Sequence, residues 1–179
     1  MYYATAALGA VAGPVARDGR EVGEIWARGD TVTPGYWNRP EETAAAFEGG
    51  WLKTGDLAVV DREGYLDIVD RKQDMILSGG ENIYSVEVEN ALYQHPAVLE
   101  AAVFGVPDEK WGEAVKAAVV LRAGATATAA ELIASCRGCL AAYKLPRSID
   151  FVAALPKTGS GKIVKQALRD PYREGRKRR

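Results

Sequence analysis

The chain has 179 residues, 23 Lys and Arg against 24 Asp and Glu, a formal net charge of −1 and 47% hydrophobic residues. That length suits one ordinary domain or two small ones, and the near-neutral balance lacks the basic excess of a nucleic-acid-binding protein; neither disorder nor a collagen-like repeat is indicated. No run of about 18 apolar residues appears, so no membrane-spanning helix is predicted, and the start MYYATAALGAVAGPVARDG has no positive charge ahead of its apolar part, which makes a poor signal peptide and points to a cytoplasmic protein.

In chain order, the segment from Glu24 reads as short strands and turns: EIWARG, PGYWNRP and WLKTGDLAVVDREGYLDIVDR. LAVVD and YLDIV are β-rich runs separated by Arg62, Glu63 and Gly64, which predicts a hairpin. Between the first strand and that hairpin, PEETAAAF sets a proline and two acids ahead of small helix formers, the pattern of a short helix. The first third is therefore a small β-rich unit. After Arg71 the texture changes. MILSGGENI is an apolar strand breaking into a double glycine, and SVEVENALYQH places Val86, Val88, Ala91 and Leu92 where a helix buries one face. VLEAAVFGV and EAVKAAVVLR follow as strands, TAAELIASCRGCLAAY as an amphipathic helix, SIDFVAAL as a last strand and KQALRDPY as a closing helix. The order strand, helix, two strands, helix, strand describes an α+β unit. The charged run DRKQD, Asp70 to Asp74, separates the two textures and is the predicted boundary.

Three local features carry little chemistry by themselves. Cys136 and Cys139 form a C-x-x-C spacing, but zinc would need two more ligands and the only histidine, His95, is far off in sequence. Late in a helical stretch they read as reduced structural thiols, cysteine being among the most buried residue types. The terminal REGRKRR reads as a solvated basic tail. LPKTGSGKIVKQALR contains Gly161-Lys162 but is no phosphate loop, because Pro156 and Ile163 stand where that motif needs a glycine and a hydroxyl. Its glycines would instead give Lys162 an exposed, adaptable loop.

Four stretches in one order carry a resemblance: GEIWARGDTVTPGYWNRPEETAAAF, GGWLKTGDL, GYLDIVDRKQDMILSGGENIYSVEVE and LPKTGSGKIVKQALR. From about Gly19 onward the chain resembles the C-terminal part of the adenylate-forming enzymes, the superfamily of acyl-CoA synthetases, peptide-synthetase adenylation domains and beetle luciferases. SGGENIYSVEVENALYQHPAVLEAAVFGVPDEKWGEAVKA is most similar to the fatty-acyl and aryl-acyl CoA ligases. The resemblance implies an α+β chain in which residues 1–70 are a β-rich remnant of the large AMP-binding domain. Residues 71–170 would be the small mobile C-terminal domain and 171–179 a basic tail. It also implies a reaction: ATP activates a carboxylic acid to an acyl-adenylate with release of pyrophosphate, and coenzyme A then displaces AMP.

Residue roles follow from the same resemblance. Asp56 in TGDL is the expected ribose ligand, its carboxylate able to accept from both hydroxyls of a diol. Arg71 is expected at the ribose and phosphate, where a permanently charged fork of donors suits. Gln73 occupies the hinge position, where the family usually has aspartate or lysine. Lys162 is the expected catalytic lysine of adenylation, its charge placed where negative charge develops; it would serve one half-reaction and withdraw for the other, so that domain motion belongs to the mechanism. Gly79 and Gly80 would line the pantetheine tunnel in the second half-reaction, with Trp111 and Lys144 toward coenzyme A's nucleotide end.

ATP, AMP and coenzyme A are thus the implied ligands, with Mg²⁺ expected alongside ATP and no metal ligand in this chain. Nothing in the sequence resembles the family's Ser/Thr/Gly-rich phosphate loop, its adenine-contacting segment or an acyl pocket. The leading reading is a C-terminal portion of an AMP-forming acyl-CoA synthetase that is not catalytically complete alone. The alternative is a stand-alone module that binds nucleotide or coenzyme A, or docks on a separate large N-terminal domain. A third, an unrelated hydrolase, has only His95 on which to build a triad. Oligomeric state and the acid used are not legible.

Overall fold

The computed structural model describes the backbone of residues 10–11, 16–17 and 20–177 and the side chains of residues 22–173. Most of the apolar start read against a signal peptide, and the last two residues of the basic tail, lie outside the described residues. The chain divides into two compact units, Met1–Gln73 and Asp74–Arg179. Among the described residues no helix is long and apolar enough to cross a membrane.

The first unit is an antiparallel sheet. Its elements are β1 (Ala10–Val11), β2 (Ala16–Arg17), β3 (Arg20–Ala27), α1 (Pro40–Ala46), β4 (Phe47–Glu48), β5 (Trp51–Val60) and β6 (Leu66–Arg71). β3 lies between β1 and β5, β4 follows β5, and β2 and β6 pair with β3 and β5. Helix α1 forms where PEETAAAF predicts it: Pro40 opens it without losing an internal bond, and Glu41 and Glu42 sit at the positive end of its dipole. The β5–β6 hairpin turns on Asp61, whose Oδ1 accepts from the N–H groups of Glu63 (2.9 Å) and Tyr65 (2.8 Å). Val22, Ile25, Leu57, Val59 and Val69 form the buried interior.

The second unit is built on one long antiparallel pair, β9 (Val98–Asp108) and β10 (Gly112–Leu121). Before it come β7 (Ile76–Ser78), β8 (Glu81–Ile83) and α2 (Ser85–Tyr93); after it come α3 (Ala129–Cys136), a 3₁₀ turn at Ala142–Lys144, β11 (Ser148–Phe151) and α4 (Lys165–Lys177). β10 pairs with β9 from Gly112↔Asp108 to Leu121↔Val98, with β11 in parallel from Lys116↔Ser148 to Val119↔Phe151, and with β7 at Gly112↔Ser78. Both faces of the β9–β10 pair are covered, which is why its sequence is nearly continuously apolar instead of alternating. Val98, Ala101, Val103, Val115, Ala117 and Val119 meet Val88 and Leu92 of α2 and Leu132 and Cys136 of α3. Ala102, Phe104, Ala118 and Val120 face the other way, onto Leu155, Ile163 and Leu168.

Four sequence-based expectations change. Val86 is 37% exposed and its place on the buried face of α2 is taken by Ser85, because Val86 lies about 200° around the helix from Val88 whereas Ser85 lies one turn before it. The helix predicted through Tyr143 stops at Cys136, capped at its start by the reciprocal Thr128–Glu131 bonds and ended just before Gly138, a poor helix former. Cys136 is buried and burial pushes its thiol up, the state of an inert core cysteine, while Cys139 in the following turn is exposed. The strand SIDFVAAL ends at Phe151, after which the chain turns Leu155 into the second core. The closing helix continues through Pro171 to Lys177.

A polar cluster fastens α4 to the sheet. The nearly buried Lys116 ammonium donates to Asp150 Oδ1 (2.8 Å) and Ser148 Oγ (3.2 Å), and Tyr172 Oη donates to Asp150 Oδ2 (2.7 Å). The Lys116 hydrogen bond, against partial burial and with help from Tyr172, holds the Asp150 carboxyl below its ordinary range. A carboxylate whose folded value lies below its unfolded value stabilises fully above the unfolded value, about 3.9, and loses that contribution as pH falls through the folded one. Thermal unfolding should therefore show Asp150→Asn destabilised by a constant amount from pH 7 to about 5, with the gap to wild type closing below about pH 4. A gap independent of pH down to acid unfolding would mean that the ionised carboxylate contributes nothing.

Candidate functional site

In the first unit, Asp56 and Arg71 face each other across β5 and β6 as a register pair. Arg71 Nε lies 3.1 Å from Asp56 Oδ1, with the arginine more than half exposed. Their setting is fixed by the neighbouring backbone. Gly55 adopts φ +75°, donates its N–H to Glu24 Oε1 (3.2 Å) and accepts from Lys72 N (2.8 Å). Lys72 Nζ closes the ring on Glu24 Oε2 at 2.9 Å. Partial burial raises the Glu24 carboxyl, but the hydrogen bond from Lys72 and that ammonium's charge outweigh it and leave the group below its usual range. An open hollow of about 310 Å³ lies beside this ring, lined by Thr54, Gly55, Arg71, Lys72 and Gln73. Sequence reasoning singled out Asp56, Arg71 and Gln73 in this region and missed Glu24 and Lys72, which meet because β3 and β6 both pair with β5.

In the second unit, Gly79 and Gly80 form the two-residue turn of the β7–β8 hairpin, with φ of +63° and +86°, angles that favour glycine. The two differ in surroundings. A Cβ on Gly79 would lie 2.8 Å from the Trp111 ring, whereas one on Gly80 would meet nothing within 4 Å. Gly79 N also donates to the Trp111 carbonyl (2.8 Å), so the tryptophan grips the turn by backbone and ring. Lys110 Nζ stands 4.6 Å and Arg147 Cζ 5.2 Å from the Trp111 ring centroid, two cations that no local pattern in the sequence singles out. Lys144 is committed elsewhere: its side chain is only 12% exposed and its ammonium pairs with Glu87 at 2.8 Å.

Lys162 sits on a pinned loop. Lys157 and Ile163 form an isolated antiparallel bridge. Within it Thr158 N donates to Lys162 O (2.8 Å), Gly161 N to Thr158 O (2.9 Å), and Lys162 N to Thr158 Oγ1 (3.1 Å). The backbone at Lys162 is therefore held although its side chain is exposed. The other lysines of this unit with described side chains are engaged: Lys116 with Asp150, Lys144 with Glu87, Lys157 with Glu100, Lys165 with Glu89, and Lys110 over Trp111. Among the described residues Lys162 alone of these ammonium groups has no partner.

The turn geometry makes a graded prediction. Gly80→Ala adds only left-handed backbone strain, about 1–2 kcal/mol. Gly79→Ala adds the same strain and a collision with Trp111, so urea unfolding should show the larger loss for Gly79→Ala. Trp111→Ala in the same chain should shrink that excess, as coupled neighbours do. Equal losses at both positions would show that the ring does not press on the turn.

Residues 87–162 match the family model for the AMP-binding enzyme C-terminal domain. The chain is 53% identical over 149 residues to a feruloyl-CoA synthase from an Amycolatopsis species, covering 83% of this chain and 30% of that protein. It is 53% identical over 148 residues to a long-chain-fatty-acid–CoA ligase from Bacillus subtilis, covering 83% and 26%. Among solved structures, the ATP-bound MatB from Rhodopseudomonas palustris superposes with a TM-score of 0.81 at 37% identity, over 93% of this chain and 34% of that one. The o-succinylbenzoate CoA synthetase of Bacillus subtilis, in complex with its acyl-adenylate intermediate, gives 0.76 at 43% identity, over 87% and 33%. The chain thus spans about 30% of the length of the curated relatives it matches. It is similar over most of its length to the C-terminal part of adenylate-forming enzymes, and its residues 87–162 match their AMP-binding enzyme C-terminal domain.

Proposed function

We propose that this chain serves as the C-terminal part of an AMP-forming acyl-CoA synthetase. Residues 1–70 would belong to the large AMP-binding domain, residues 71–170 form the mobile domain and residues 171–179 its basic tail. The observation that carries the reading is Lys162: an ammonium group exposed and without a partner among the described residues, on a loop whose backbone is tied at both ends. An uncommitted cation on a held backbone suits a charge that must meet developing negative charge without first breaking an ion pair. The likeness to coenzyme A ligases supplies the reaction class.

In the first half-reaction an oxygen of the substrate carboxylate attacks the α-phosphorus of ATP. A new carbon–oxygen–phosphorus linkage forms, the bond to pyrophosphate breaks, and the Lys162 ammonium stabilises the charge that builds on the phosphate and carboxylate oxygens. Asp56 and Arg71 take the ribose, the carboxylate accepting from its hydroxyls while the guanidinium faces ribose and phosphate. In the second half-reaction the sulfur of coenzyme A attacks the acyl carbon and AMP leaves. Gly79 and Gly80 let backbone approach the narrow thiol arm, and Trp111, with Lys144 and the two cations beside the ring, faces the nucleotide end. Gln73 serves as the hinge between the two arrangements. The hollow beside Arg71 and Lys72 presents two cations and does not fit Mg²⁺, so a metal arriving with ATP would be held by residues other than these. The two free cysteines suit a reducing, cytoplasmic setting.

The remaining machinery would come from a large N-terminal domain. The 179 residues alone should show no ATP–pyrophosphate exchange with fatty or aromatic acids. Supplied with such a domain, Lys162→Ala should slow adenylate formation by about 10²–10³, roughly 3–4 kcal/mol, while thioester formation from preformed adenylate changes little. Equal loss in both half-reactions would reduce Lys162 to a docking contact. Exchange by the chain alone, abolished by Lys162→Ala, would overturn the need for a partner domain.

A further inference from the structure

We infer that Glu113 is a positioning residue that presets the Gly79–Gly80 turn through the backbone of β7. Backbone pairing between β7 and β10 has a single register pair, Gly112↔Ser78. One residue further along each strand, the ladder is continued by a side chain: Glu113 Oε2 accepts from Leu77 N at 3.0 Å. The turn is then gripped at three successive points, by Glu113 at Leu77, by the Gly112 pair at Ser78 and by the Trp111 carbonyl and ring at Gly79. A three-residue strand has too few backbone bonds to hold a turn in register by itself.

The fold makes room for this carboxylate. Glu113 pairs across β9–β10 with Pro107, and its carboxyl reaches back over Gly105, where a Cβ would lie 2.7 Å from Oε2 and 2.8 Å from the carboxyl carbon. Gly105 is therefore the vacancy into which the carboxylate folds. Because the colliding atoms are the far end of a flexible side chain, Gly105→Ala would displace the carboxylate from Leu77 while leaving the strands paired. Glu113 and Gly105, 36 and 28 positions after Leu77, thus converge on its amide, two residues before the turn. The functional weight of this arrangement rests on the reading of Gly79 and Gly80 as the loop along which the thiol approaches.

Amide hydrogen exchange followed by NMR on the full 179-residue chain separates positioning from stability. A hydrogen bond to a charged acceptor corresponds to about tenfold or more in local opening. Leu77 and Gly79 should therefore exchange about tenfold or more faster in Glu113→Ala and in Gly105→Ala. Val119, near the far end of β10, should keep its wild-type rate, and Glu113→Gln, which retains an acceptor oxygen, should stay close to wild type. Unchanged exchange at Leu77 in Gly105→Ala, or acceleration of Val119 equal to that of Leu77, would overturn the assignment. Added coenzyme A gives an independent readout: a shift of the Gly80 amide in wild type that weakens in Gly105→Ala supports the link to the thiol. No shift at Gly80 in wild type would count against the functional reading of the loop and leave the exchange result intact.

Discussion

The second unit depends on one constraint, the burial of the β9–β10 pair on both faces. Val103, Val115, Ala117 and Val119 need α2 and α3 over one side, and Phe104, Ala118 and Val120 need the segment from Leu155 to Leu168 over the other. Fully burying a valine-sized side chain is worth about 1.5–3 kcal/mol, so leaving either face open would cost more than a small domain can lose. The covering segment from Leu155 to Leu168 carries the candidate lysine, Lys162. The loop bearing Lys162 is anchored on one side by Leu155 and on the other by Ile163, both in the second core. The Gly79–Gly80 turn hangs from the β9–β10 loop through Trp111 and Gly112. The two candidate loops are thus held by the same strand pair, one through its face and the other through its end.

Charge placement separates framework from function. Lys116, Lys144, Lys157 and Lys165 each join two elements through a carboxylate, and Arg169 does the same with Asp74 at 2.6 Å. Buried or half-buried pairs of this kind add little net stability over apolar packing, but removing one partner leaves the other stranded. They act as fasteners between segments distant in sequence. Lys144 is a fastener by geometry, held to Glu87 of α2, so any contact with a ligand would be made at the expense of that pair. Arg147 and Lys110, on the ring of Trp111, are cations placed around an aromatic face instead.

The sequence carries the elements whose signals are local. Pro40 with Glu41 and Glu42 marks α1, the run VLEAAVFGV with EAVKAAVVLR marks the doubly covered pair, and DRKQD marks the change of texture where the two units divide. It fails where a neighbour distant in sequence decides. Val86 reads as a core residue by hydrophobicity, yet the angle of α2 is set by Val88 and Leu92 packing on the sheet. β8, three residues with two polar members, has no strand signal and exists because the glycine turn folds it back on β7. The site shows the same division. Asp56, Arg71, Gly79, Gly80 and Lys162 stand in recognisable motifs, whereas the Glu113 bond to Leu77 and the Glu24–Lys72 pair join residues 36 and 48 positions apart and leave no trace in any short window. The glycines around Lys162 announce a loop; that its backbone is pinned by Thr158 depends on the bridge between Lys157 and Ile163.

The central claim is that this chain presents a working C-terminal half-site to a large adenylating domain. A chimera tests it most directly: the C-terminal segment of the Bacillus subtilis long-chain-fatty-acid–CoA ligase that matches this chain is replaced by the matching residues of this chain, and acyl-CoA formation is measured. The account predicts a folded chimera that forms acyl-CoA and keeps the acid preference of the host. A folded chimera that binds ATP and the fatty acid but forms neither adenylate nor thioester would contradict it.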